Sequence, residues 1–185
     1  MKFAHMADCH IGSWRDPKLK DISTEAFIKA VDKCIEEEVD FILIAGDLFN
    51  TSLPRLDNLK TVVTKFKNLK DRNIPVYIVP GSHDFSPSGR TMLDVLEEAG
   101  LFVNVVKGEI IENKLKLNFT VDKKTGAKIT GLLGKRGSLE KSYYESLHTE
   151  NLENEDGYKI FIFHSGIDEL KPKEMQNIIS QPLSL

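Results

Sequence analysis

Four short stretches of this chain place carboxylates and imidazoles at the ends of apolar runs: Asp8-Cys9-His10, Gly46-Asp47, Gly81-Ser82-His83-Asp84 and His164-Ser165-Gly166. Carboxylate with imidazole is the ligand mix that holds manganese, iron or zinc. Asp8 and His10 stand two apart, so an extended backbone would point both the same way. Each stretch taken singly has a plainer reading. A Gly-Asp after a strand is by default a turn carboxylate, and a strand-end histidine such as His164 is by default buried and satisfied by hydrogen bonds. Four such ends in one chain favour a shared site.

The elements that must position them follow from the pattern of apolar residues. Residues 41–45 are too short and too rich in branched side chains for a helix, so they predict a strand buried on both faces of a largely parallel sheet. Asp47 then sits at the carboxyl end of that strand, where open α/β sheets gather ligands, and Gly46 removes a side chain from a close approach. Strands over 2–7, 76–79 and 159–163 deliver the other three stretches. Helices are predicted over 24–38, capped by Ser23 or Thr24, over 56–72 and over 91–99, the last ended by Gly100. From 101 to 133 the pattern changes to short strands (102–106, 109–112, 115–121 and 128–133), with a hairpin turn at Lys123-Lys124-Thr125-Gly126, which predicts an antiparallel or mixed half. A helix over 139–148 and an acidic loop over 150–157 complete the reading.

With 185 residues, 41% of them hydrophobic, the chain can bury one good core, and strand-helix alternation favours a single α/β domain over 1–185. The net charge of −3 gives no global basic footprint, so any nucleic-acid contact must be local. Two cysteines inside predicted elements read as reduced thiols in a cytoplasmic setting, and no signal peptide or membrane span is expected. Cys34 belongs to an apolar helix stripe, and Cys9 points away from Asp8 and His10 as small core. His5 lies an odd number of places from Asp8, on the opposite face of a regular strand. His148 and the acidic run after it read as solvated surface. Lys135 and Arg136 are placed to meet a phosphate backbone, although an exposed basic pair between glycines is more often soluble loop.

The order Asp-x-His, Gly-Asp, Gly-Ser-His-Asp, His resembles the calcineurin-like metallophosphoesterases, whose usual third motif is Gly-Asn-His-Asp/Glu and whose last is Gly-His-x-His. Gly46-Asp47-Leu48-Phe49-Asn50, Asp8-Cys9-His10-Ile11-Gly12 and Phe163-His164-Ser165-Gly166-Ile167 resemble more closely the SbcD-type, meiotic-recombination class of DNA double-strand-break repair nuclease. The resemblance implies a four-layer α-β-β-α sandwich with mixed sheets, and two divalent metal ions, manganese above all. It implies that Asp8 and His10 hold the first ion, that Asp47 bridges both, and that Ser82 and His164 hold the second. His83 would face the substrate phosphate, with Asp84 orienting it.

Two such ions favour in-line attack on phosphorus and neutralise the charge that builds there. The implied activity is exonuclease or endonuclease hydrolysis of DNA, with an SbcC-type, SMC-like ATPase and a second copy of the chain as partners and no membrane. Two departures stand out. Ser82 replaces the usual asparagine with a shorter-reaching hydroxyl, and no Gly-His-x-His follows His164, so a chain truncated before that last motif is expected. The alternatives are a small-molecule phosphoesterase of the same superfamily and a catalytically crippled domain kept for assembly.

Overall fold

Five consecutive apolar residues, Phe41–Ala45, form the central strand β2, which is buried along its whole length. In the computed structural model, which describes residues 1–16, 18–86, 89–167 and 170, β2 lies between β1 (Phe3–Met6) and β3 (Val76–Val79), with the short β4 (Val103–Asn104) beyond. All three pairings are parallel. Helices α1 (Ile22–Glu36), α2 (Leu56–Asp71) and α3 (Met92–Glu98) make the crossovers.

Alternation along β2 and β3 sorts their side chains into two cores. Ile42, Ile44, Val76 and Ile78 pack with Phe27, Val31, Val62, Phe66 and Leu96 from the helices. Phe41, Leu43, Ala45, Tyr77 and Val79 pack with Ile129 and Ile162 on the other side. The second sheet comprises β7 (Thr120–Val121), β8 (Lys128–Leu132) and β9 (Lys159–Phe163), with β7 antiparallel and β9 parallel to β8. A separate hairpin, β5 (Gly108–Ile111) with β6 (Lys114–Leu117), stands apart. The result is the expected mixed α/β sandwich. On the second sheet Thr130 and Leu132 of β8 are buried, whereas Phe161 of the edge strand β9 stays 37% exposed. Among the described residues no helix is long and apolar enough to cross a membrane.

The structure departs from the sequence reading at several ends. Helix α1 begins two residues early, with Asp21 in the cap position, so Ser23 and Thr24 lie inside its first turn. The strand expected over 115–121 breaks after Leu117: β6 pairs with β5 and β7 pairs with β8, and Asn118 donates to the Lys107 carbonyl between them. The helix expected over 139–148 shrinks to α4 (Lys141–Glu145), and part of the expected acidic loop is helical as α5 (Thr149–Glu153). The His148 ring nitrogen accepts the Asn151 amide at 3.2 Å and caps α5, a role that the solvated-surface reading omitted. Helix α3 is closed as expected, with a reciprocal Thr91–Asp94 capping box at its start and Gly100 at φ 64° after its end.

Candidate metal centre

Because β1, β2 and β3 run parallel, their carboxyl ends share one edge, and the loops that leave them continue as a backbone zipper. The Asp8, His10 and Ile11 amides donate to the Gly46, Asp47 and Leu48 carbonyls at 3.2, 2.9 and 3.0 Å. This zipper brings the first two motifs together. Asp8, His10 and Asp47 all take left-handed backbone, at φ 52°, 42° and 53°. That conformation is uncommon outside glycine, and its clustering here marks a site where the surroundings impose the geometry. Asp8 and His10 therefore converge through local backbone turns and not through the strand alternation expected from their spacing.

Two close approaches need glycine. A Cβ on Gly46, at φ +82°, would lie 2.3 Å from Nδ1 of His164, and one on Gly81 would lie 2.2 Å from an Asp47 carboxylate oxygen. Strand β9 carries His164 in from far along the chain, and its Nδ1 lies 2.9 Å from the Ala45 carbonyl oxygen. That oxygen only accepts, so Nδ1 carries the proton and Nε2 turns inward, 3.4 Å from an Asp47 oxygen. His83 repeats the arrangement, with Nδ1 held 2.8 Å from the Asn50 carbonyl oxygen. Fixing one ring nitrogen on a carbonyl while the other faces the site is how proteins orient metal-binding histidines.

Asp47, 2% exposed, is the hub. Burial alone would raise its pKa, but hydrogen bonds from His164 and from the His83 amide, the latter at 2.8 Å, hold the carboxyl below its usual value. In return Asp47 raises the His164 pKa to about 9, against the opposing effect of burial. His10 Nε2 lies 3.4 Å from Asp8 and 3.5 Å from Asp47, while its buried Nδ1 has no hydrogen-bond partner.

Two sets of donors result: His10, Asp47 and His83, and Asp8, Asp47 and His164, the ligating atoms of each set lying within 4.8 Å of one another. These residue types fit divalent cations, and the carboxylate common to both sets is the expected one. The His83 ring lies edge-on to His10 at 4.8 Å between centroids, and Asp8 lies beside His10 as well as in the set with Asp47 and His164. The Ser82 hydroxyl points at the hub, 3.5 Å from Asp47.

The Asp84 carboxylate, expected to orient His83, is engaged by backbone amides. Asp84 is 1% exposed and accepts the amides of Leu48 at 3.2 Å, Phe49 at 3.1 Å and Gly81 at 3.0 Å, so its carboxylate binds two motif loops to each other. Burial raises its pKa, a cost that the three amides offset only in part.

The cavity over the site, about 660 Å³, is lined by Asp8, Ser82, His83 and His164 and also by His5, Lys135 and Arg136. His5 thus reaches the rim of the same cavity, although it belongs to neither donor set. One residue was missed from sequence: Glu140, 3% exposed, accepts the Lys135 amide at 3.1 Å and the Ser165 hydroxyl at 2.8 Å, joining the loop after β8 to the loop after β9. Nothing in its local sequence separates it from the surface glutamates nearby.

Carboxylates and imidazoles gathered at one rim of a two-sheet α/β sandwich define a metallophosphoesterase. The chain belongs to the calcineurin-like phosphoesterase family, whose sequence model matches residues 1–182. Within that family it is similar to proteins named DNA double-strand break repair protein Mre11. The Archaeoglobus fulgidus protein is 36% identical over 61% of this chain and 27% of its own length. The Methanococcus maripaludis protein is 29% identical over 95% of this chain and 46% of its own length. The chain thus spans between about a quarter and a half of these relatives. A crystal structure 13% identical in sequence aligns over 97% of this chain and 76% of its own with a TM-score of 0.52, a likeness of fold.

Proposed function

We propose that this chain is the catalytic domain of a metal-dependent nuclease that hydrolyses phosphodiester bonds in DNA during double-strand-break repair. The observation that carries the reading is Asp47, a buried carboxylate common to two sets of metal-ligating side chains. Asp8, His10, Asp47 and His164 would hold two divalent ions, manganese by preference, with the Ser82 hydroxyl beside them and His83 facing the substrate phosphate. Bound ions supply Lewis-acid polarisation of the phosphate and a water acidic enough to attack it.

The chain's own groups do the remainder. Asp47 brings negative charge to the centre of the site, and the Asn50 and Ala45 carbonyls keep the Nε2 atoms of His83 and His164 directed inward. Asp84 fixes the loops that bear these groups, and Lys135 and Arg136 stand on the cavity wall, where a phosphate backbone would pass. The similarity to proteins named DNA double-strand break repair protein Mre11 supports DNA as substrate, and we further propose a cytoplasmic setting with a second copy of the chain and an SbcC-type ATPase as partners.

The test is a manganese-dependent assay on linear duplex DNA beside a chromogenic phosphodiester. Cleavage of both is expected and is abolished by chelation; cleavage of the small ester alone would overturn the nuclease reading.

A further inference from the structure

Beside the metal cavity lies a second depression of about 390 Å³, which the metal chemistry does not use. His83, Lys135 and Arg136 line both, so one wall separates the two. The far side is apolar and open to solvent: Phe85 is 42% exposed and Leu139 69% exposed, and both line it. Two apolar side chains lining one depression beside a reactive centre, with cations on the shared wall, offer an apolar face next to positive charge.

Lys135 is also set in place. Lys135 Nζ lies 5.6 Å from the centroid of the Phe85 ring and 4.5 Å from that of Tyr143, and it donates to the Tyr143 hydroxyl at 2.5 Å. Its backbone amide is tied to the buried Glu140. A lysine held over aromatic faces at the edge of a phosphodiesterase site, beside a second cation, offers positive charge to an anion and a flat apolar face to whatever that anion carries.

We propose that this depression receives the nucleotide next to the scissile phosphate, with its base lying unstacked on Phe85 and Leu139 and its own phosphate on Lys135 and Arg136. The inference rests on the nuclease reading and deepens it. A base can lie on Phe85 only after leaving its neighbours in the helix, so the strand that enters the site is single-stranded or frayed at its end. The depression meets the cavity at His83, Lys135 and Arg136. The net charge of −3 makes the local pair of cations the feature that draws this backbone in.

The test is binding by the full chain without metal, followed by fluorescence anisotropy, so that it is independent of turnover. The probes are a fluorescein-labelled oligothymidylate of eight residues and an abasic oligomer of the same length. Aromatic stacking predicts that the chain binds the base-bearing oligomer about tenfold more tightly than the abasic one, that Phe85→Ala removes the difference, and that Phe85→Trp retains it. Replacing Lys135 and Arg136 together with glutamine is expected to reduce the slope of log affinity against log salt by roughly 0.7, the loss of one phosphate contact on a single strand. Equal affinity of the unaltered chain for the two oligomers would overturn the proposal, as would a base preference that survives in Phe85→Ala. Failure to cleave duplex DNA would count against the nuclease reading alone and would leave this binding result as it stands.

Discussion

Single atoms decide the geometry around Asp47. Gly46 is the sharpest case, because its positive φ and the 2.3 Å separation between an added Cβ and the His164 ring penalise any side chain twice. Gly46→Ala is expected to push His164 off the Ala45 carbonyl and to weaken manganese binding at least about tenfold, the loss of one oriented imidazole ligand. Calorimetric titration checks this, and an unchanged affinity would show that His164 stands outside the site. Asp84 acts on stability. Asp84→Asn turns an amide N–H2 toward backbone donors that now have a carboxylate, and leaving a buried N–H unpaired predicts a loss of about 2 kcal/mol in urea unfolding. At this scale the sequence was informative about identity but not about role. The residue types of Asp8, His10, Asp47, His83 and His164 mark them for one cavity. Which backbone group holds each ring depends on the Asn50 and Ala45 carbonyls, and every residue has a carbonyl, so sequence carries no sign of it.

Elements were legible where a short apolar run was uninterrupted. Strands β2, β3 and β9 fall where their apolar runs place them; β2 and β3 are buried along their whole length, and β9 is fixed by its parallel pairing with β8. The stretch after Val103 was harder. Strand β6 ends where Asn118 turns to the Lys107 carbonyl, a long-range choice that the alternation of 115–121 does not contain. Similarly, α5 depends on the His148 cap and on the bond from the Asn151 side chain to the Leu117 carbonyl at 2.7 Å. Glu140 belongs to this scale, since it joins the loops that follow β8 and β9. Glu140→Ala is expected to expose the Lys135 amide to faster hydrogen exchange and to lower stability by on the order of 1–2 kcal/mol, the cost of one lost charge-assisted bond. Exchange at Lys135 equal to that of the unaltered chain would remove Glu140 from its positioning role.

At the scale of the whole molecule, the parallel first sheet and the parallel β8–β9 pair turn their carboxyl ends to one rim, and this topology lets residues more than a hundred positions apart share a carboxylate. The expected sandwich and the convergence of the four motifs both follow from that arrangement. The central claim is that Asp47 serves two metal positions at once, and titration of the chain with manganese by calorimetry, with and without Asp47→Asn, tests it most directly. Two ions per chain are expected in the unaltered protein and none bound with comparable affinity in the variant, with the circular dichroism spectrum unchanged. A variant that still binds two ions as tightly would contradict that claim.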